Sequence, residues 1–138
     1  MRLVFLDTAG LYSVISKEDA HHVRALELLD QFDEDGVSAV TSDWVLAEFL
    51  GLAAGKGLRS AAIALAKDLM GGDEERVIAA SRAGWVSAFK FYSSRSDKQW
   101  SLVDRTSILI CRDLGIGAVL TSDHHFMQAG LRALLKKR

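Results

Sequence analysis

Leu3-Val4-Phe5-Leu6 is apolar at every position, too short for a helix, and cut off at once by Asp7-Thr8. A run without polar alternation reads as a strand buried on both faces, which requires helices on both sides of a parallel sheet. The rest of the chain supplies the parts. Leu11, Val14 and Ile15 predict a helix directly after the strand, and the spacing of Val23, Ala25, Leu26, Leu28, Leu29 and Phe32 predicts another over 22–32, stopped by Asp33-Glu34-Asp35-Gly36. Residues 37–40 read as the second strand. Thr41-Ser42-Asp43 is an N-cap signal for a helix that runs to about Ala54 and closes at Gly55 and Gly57. A helix over 59–70 precedes the solvated turn Gly71-Gly72-Asp73-Glu74-Glu75, then a short strand over 76–79 and a helix from Ser81 to about Tyr92. Ser101 opens a helix that ends at Gly115, residues 117–120 form a buried strand, and Thr121-Ser122-Asp123 caps a last short helix before a basic tail. Strands alternating with helices imply a single α/β domain over residues 1–138, with a central parallel sheet flanked by helices.

With 138 residues, 49% of them hydrophobic, the chain can bury roughly two-thirds of its unfolded surface in one core, and a second catalytic domain has no room. Its single cysteine, Cys111, continues the run Ile108-Leu109-Ile110 and reads as a small core residue, with no intramolecular disulfide to form. The N-terminal run meets Asp7 too early to make the apolar centre of a signal peptide, and no stretch approaches the roughly 20 apolar residues of a membrane span. The expectation is a soluble cytoplasmic protein. A net charge of −1 decides little, but its distribution is uneven. Residues 1–75 hold 6 Lys and Arg against 14 Asp and Glu; residues 76–138 hold 11 against 4 and end in Lys136-Lys137-Arg138. A basic half suits an anionic partner, unless folding interleaves the two halves.

Ligands of open parallel sheets bind at the carboxyl ends of the strands. Asp7 and Asp123 lie there. Two further acids sit in apolar sequence: Glu48 in Trp44-Val45-Leu46-Ala47-Glu48-Phe49-Leu50, and Asp104 one turn into the helix opened by Ser101. Each has a plain structural explanation to set beside a chemical one. Asp7 and Asp123 suit N-caps, and Ser101-Leu102-Val103-Asp104 suits a capping box, although its acid is usually Glu or Gln. Glu48 resists such a reading: it is mid-helix, with no basic residue three or four positions away. As a set, four carboxylates without convergent Cys or His suit Mg²⁺ or Mn²⁺. Without a cation they would repel one another and raise at least one pKa.

Other chemistries fit less well. Position 9 is Ala, where an Asp-x-Asp phosphatase needs its second acid, and the late strand is followed by Thr121-Ser122-Asp123, where a receiver domain needs a lysine. No glycine-rich phosphate loop occurs. His21-His22 and His124-His125 are adjacent pairs whose side chains diverge by about 100° on a helix, so they read as solvated, with His124 or His125 left as candidate phosphate contacts.

Asp7-Thr8, Glu48 in an apolar helix, Ser101-Leu102-Val103-Asp104 and Leu120-Thr121-Ser122-Asp123 resemble, in order and spacing, the PIN-domain family. The stretch from Asp97 to Asp104, with Thr121-Ser122-Asp123-His124-His125-Phe126-Met127-Gln128-Ala129-Gly130, is similar to its VapC-type toxin branch. The resemblance covers essentially the whole chain. It implies a Rossmann-like sheet, a Mg²⁺- or Mn²⁺-dependent endoribonuclease, a homodimer, and inhibition by a cognate antitoxin protein. It makes Asp7, Glu48, Asp104 and Asp123 the catalytic, metal-binding acids, supported by Thr8, Thr121 and Ser107. The chain departs at Arg105-Thr106, where small or apolar residues are common; Arg105 is expected to salt-bridge the acids or grip phosphate. Arg95, Lys98 and Arg105 are the candidate RNA contacts. Trp85, Phe89, Phe91, Tyr92 and Trp100 either stack on RNA or, the favoured reading, belong to the core or a dimer interface. The alternatives are an RNA-processing PIN nuclease outside any toxin pair and an inactive binding module.

Overall fold

The structure is a computed structural model that describes residues 2–55, 57–72 and 75–136. In chain order its elements are β1 (Leu3–Leu6), α1 (Thr8–Ile15), α2 (His22–Asp35), β2 (Ser38–Ser42), α3 (Asp43–Ala53), α4 (Arg59–Met70), β3 (Val77–Ile78), α5 (Arg82–Ser94), α6 (Leu102–Leu114), β4 (Ala118–Leu120), α7 (His124–Gln128) and β5 (Arg132–Ala133). The strands form one sheet in the order β3-β2-β1-β4-β5, and every pairing is parallel. Asp73-Glu74 of the expected turn and Lys137-Arg138 of the basic tail lie outside the described residues.

Local signals account for several helix ends. Ser42, Ser81 and Ser101 each accept the N–H three residues on, capping α3, α5 and α6. Gly36 and Gly115 take left-handed conformations that end α2 and α6, which a residue with a Cβ adopts only with strain. The acidic run 33–35 does not stop α2, since helical backbone tolerates exposed acids and the chain turns only at Gly36. β5 was not expected. It is two residues long with no apolar periodicity, and it exists because Arg132 and Leu134 donate their backbone N–H groups to the carbonyls of Gly117 and Val119 along β4.

Phe5, Val40 and Val119 of the sheet pack with Leu11 of α1, Leu28 of α2, Phe49 of α3, Leu69 of α4 and Ile108 of α6 in one buried cluster. Cys111 belongs to it, and burial pushes its thiol up to about 12, so it is inert. No helix among the described residues is long and apolar enough to cross a membrane. From β1 the chain builds outward through β2 to β3, then returns across the sheet to place β4 on the other side of β1. The order of strands therefore reverses between β1 and β4, the kind of crevice where parallel α/β sheets bind ligands.

Candidate active site

Asp7 is the first residue past β1, and Thr121 the first past β4. At the N-cap of α1, Asp7 makes no side-chain capping bond. Its Oδ2 instead accepts a 2.9 Å hydrogen bond from the Thr121 hydroxyl across the crevice, and Thr121 in turn accepts from the backbone N–H of Asp123. Asp7 is only 4% exposed. Burial pushes its carboxyl up to about 7 despite the Thr121 bond, with the charges of Asp104 and Glu48 adding to the rise.

The other three acids come from α3, α6 and the start of α7. Asp104 completes the capping box: its Oδ2 accepts from Ser101 N while its own N–H bonds Ser101 Oγ. Burial raises its pKa all the same, helped by the Asp123 carboxylate and opposed by the Ser101 N–H and by His125. Asp123 caps α7 through the N–H of His125. Glu48 accepts a 2.5 Å bond from the Thr8 hydroxyl. The apolar sequence around Glu48 suggests a buried carboxylate, but the residue is exposed. Only Val45, Leu46, Phe49 and Ala53 of α3 face the core, and Glu48 lies on the outer face with Ala47 and Leu52.

His125, which the sequence offers only as an alternative to His124 for a phosphate contact, lies beside the acids. Its Nδ1 lies 3.5 Å from Asp104 Oδ2 and 3.4 Å from Asp123 Oδ1, shielded from solvent and without hydrogen-bond geometry to either. The expectation of solvated histidines holds for His124, whose side chain is 59% exposed, and fails for His125 at 25%. The available signal is the Asp123 cap, which fixes the second residue of α7 beside the acids. Ser107, one turn beyond Asp104, is fully buried, and its hydroxyl has no hydrogen-bond partner.

Arg105 corrects the sequence reading. It neither pairs with the acids nor reaches solvent: it is 1% exposed and donates to the backbone carbonyls of Phe91, Arg95, Lys98 and Trp100. A guanidinium enclosed by carbonyls is not available to phosphate. Phe91 and Trp100, edge-to-face at 5.6 Å, belong to this enclosure together with the partly exposed Tyr92, whereas Phe89 is exposed and not part of it. Arg95 is exposed and bonded to Asp97 through two nitrogens, and Lys98 is half-buried.

No protein-family model and no curated protein matches the sequence. The fold has a clear counterpart. The crystal structure of VapC20 from Mycobacterium tuberculosis, described as a toxin that cleaves the sarcin–ricin loop, aligns with a TM-score of 0.81 and 25% sequence identity, over 93% of this chain and 95% of that one. The chain has the fold of a VapC-like PIN domain.

Within this PIN fold the four acids interact as a connected group, Glu48 and Asp104 acting on Asp7, and Asp123 on Asp104. Among the described residues no lysine or arginine pairs with any of them. A buried Asp7 that holds its proton toward neutral pH, an orphaned Ser107 hydroxyl and an oxygen-dominated donor set fit a hard divalent cation. Asp123, His124 and His125 also bring one ligand atom each to within 4.8 Å of one another. That trio is the poorer fit, because His124 is mostly in solvent and the most buried acid, Asp7, is not in it. A surface cavity of about 310 Å³ between α3, α5 and α6, lined by Trp44, Ser87 and Asp113 among others, contains none of the four acids.

Proposed function

We propose that this PIN-fold chain is a Mg²⁺- or Mn²⁺-dependent endoribonuclease that hydrolyses single-stranded or structured RNA, and the toxin of a toxin–antitoxin pair. The observation that carries the reading is Asp7: a nearly buried carboxylate at the strand-order reversal, faced by two other carboxylates and by no cationic side chain among the described residues. The likeness to a toxin that cleaves the sarcin–ricin loop supports the substrate class.

In this reading Asp7, Glu48, Asp104 and Asp123 hold the ion. When bound, such an ion lowers the pKa of attacking water and neutralises charge on the phosphodiester. The protein's own contribution is orientation. Thr121 holds the Asp7 carboxyl and Thr8 holds the Glu48 carboxyl, each by a hydroxyl hydrogen bond. The Ser101 box and the α7 cap do the same for Asp104 and Asp123. Ser107 and the half-buried ring of His125 complete the wall. A cognate antitoxin, a homodimer and a cytoplasmic location belong to the same reading. Trp44, Trp85 and Phe89, stacked at 6.4 and 6.1 Å and partly exposed, supply an apolar face for the dimer.

The test is cleavage of RNA carrying a sarcin–ricin loop, and of unstructured RNA, by the purified protein. Cutting is expected with Mg²⁺ or Mn²⁺ and none in excess EDTA. Asp7→Asn is expected to reduce the rate at least about a hundredfold while the protein stays folded, and to relieve the growth arrest that expression of the wild type causes. Full activity in EDTA would sink the mechanism; a harmless but RNA-cutting protein would place it outside any toxin pair.

A further inference from the structure

The connection between α5 and α6 is wound around one side chain. Arg105 Nε donates to the carbonyl of Trp100, Nη1 to that of Phe91, and Nη2 to those of Arg95 and Lys98, all at 3.0–3.1 Å. The rings of Phe91, Tyr92 and Trp100 surround the guanidinium, their centroids 5.0, 5.3 and 5.5 Å from its central carbon. A buried cation without a carboxylate would be strongly unfavourable, and here four carbonyl dipoles and three aromatic faces compensate it. While carbonyls of residues 95–100 turn inward to Arg105, the Arg95 and Asp97 side chains stay in solvent, with Lys98 partly exposed beside them. The C-terminal end of the segment is tied to the acid site in two ways. Ser101 begins the capping box of Asp104, and Trp100 Nε1 donates to Gln128 Oε1 on α7, whose N-cap is Asp123.

We infer that Arg105 is a positioning residue that shapes the 95–100 loop into a phosphate-gripping rim, with Arg95 and Lys98 as its contacts to RNA. The inference rests on the nuclease reading above. The Arg95–Asp97 pair is no obstacle, since both partners are exposed and an exposed ion pair contributes little in water. Lysine cannot replace Arg105: a single ammonium with three donors does not span four carbonyls held around a guanidinium fork.

Binding of a single-stranded RNA oligonucleotide, measured across a salt series in the Asp7→Asn protein to prevent cutting, tests this. Arg95→Ala with Lys98→Ala is expected to weaken binding about tenfold at low salt and to flatten the plot of log affinity against log salt by roughly 1.4, at roughly 0.7 for each phosphate no longer neutralised. Arg105→Lys and Arg105→Met are expected to flatten it similarly. In the protein that retains Asp7, the same Arg105 changes are expected to leave the Mn²⁺-induced rise in Tm intact. A purely structural Arg105 would lower Tm and leave the salt slope alone, and that result overturns the inference. Should both Arg105 variants fail to fold, Tyr92→Ala decides in their place, since it removes only an exposed ring over the guanidinium: a wild-type slope there overturns the role of Arg105. A wild type that neither binds RNA nor responds to Mn²⁺ overturns the nuclease reading itself, whereas a responsive wild type with unaffected variants overturns only this inference.

Discussion

Asp7 occupies an N-cap position without capping, and the consequence appears in its ionisation. Its folded pKa of about 7 stands above the ordinary 3.8, chiefly because the carboxylate is removed from water. Between those values the folded chain keeps a proton that the unfolded chain releases, so the contribution of Asp7 to stability is greatest at low pH and declines as pH rises through the folded pKa. Asp7→Asn, which keeps an acceptor for Thr121, is therefore expected to melt no lower than wild type at pH 8 in EDTA. Its advantage there is on the order of a few kcal/mol at most, shrinking toward pH 4. A variant that melts lower by the same margin at every pH would show that Asp7 is an ordinary ionised group. Asp104 gives a less clean readout. Burial raises it too, but the carboxylate also sits in the first turn of α6, so Asp104→Asn combines relief of repulsion with loss of a favourable charge on the helix dipole, about 0.3–1 kcal/mol.

At the scale of elements, the site depends on how closely α1 approaches β4. Gly10 lies against the end of that strand, and a Cβ there would collide with the backbone carbonyl of Leu120. Glycine is required by this approach, since the position has no positive φ. The same approach brings Asp7 N to Leu120 O and the Thr121 hydroxyl to Asp7. Gly10→Ala must push the helix off the strand. It is expected to destabilise the fold by roughly 1–3 kcal/mol and to reduce the Tm rise produced by Mn²⁺, because it separates Asp7 from Asp123. Thermal melts with and without the ion check both effects; an unchanged Mn²⁺ response in a destabilised Gly10→Ala protein would mean that α1 does not set the site.

For the whole molecule, the proposed ion joins three regions of the chain that are far apart in sequence: the start of α1, the middle of α3, and the α6 to α7 region. An ion bound only by the folded chain stabilises it by mass action, about 2.7 kcal/mol at a hundred times its dissociation constant. For a chain of this size that is a Tm increase of several degrees, at roughly 2–4 °C for each kcal/mol. Wild type is expected to show this rise with Mn²⁺, and a protein carrying Asp7→Asn with Asp123→Asn is expected to lose it. Equal melting of both proteins with and without Mn²⁺ would leave the four carboxylates as separate structural features.

The short apolar run before Asp7, the serine caps and the glycine helix stops are local signals, so the strand–helix alternation and its boundaries are legible in the sequence to within a few residues. The positions of Asp7, Asp104 and Asp123 are legible too, because strand ends and capping boxes are written in neighbouring residues, whereas Glu48 stands out only for an apolar setting that the fold leaves exposed. What sequence could not decide depends on contacts between distant residues. Whether Asp7 caps its helix turns on Thr121, 114 positions away. Whether Glu48 is buried turns on which face of α3 the sheet covers. His125 and Arg105 defeat a local reading for the same reason: an imidazole beside a helix cap looks solvent-facing, and a guanidinium beside an acid looks free to pair with it or with phosphate, until neighbouring elements enclose them. β5 exists only through pairing with β4, since two residues have no periodicity of their own. Propensity and pattern act over a few residues, and they determined the elements; burial and cross-chain hydrogen bonding act between elements, and only the tertiary structure determined how each charged side chain is used.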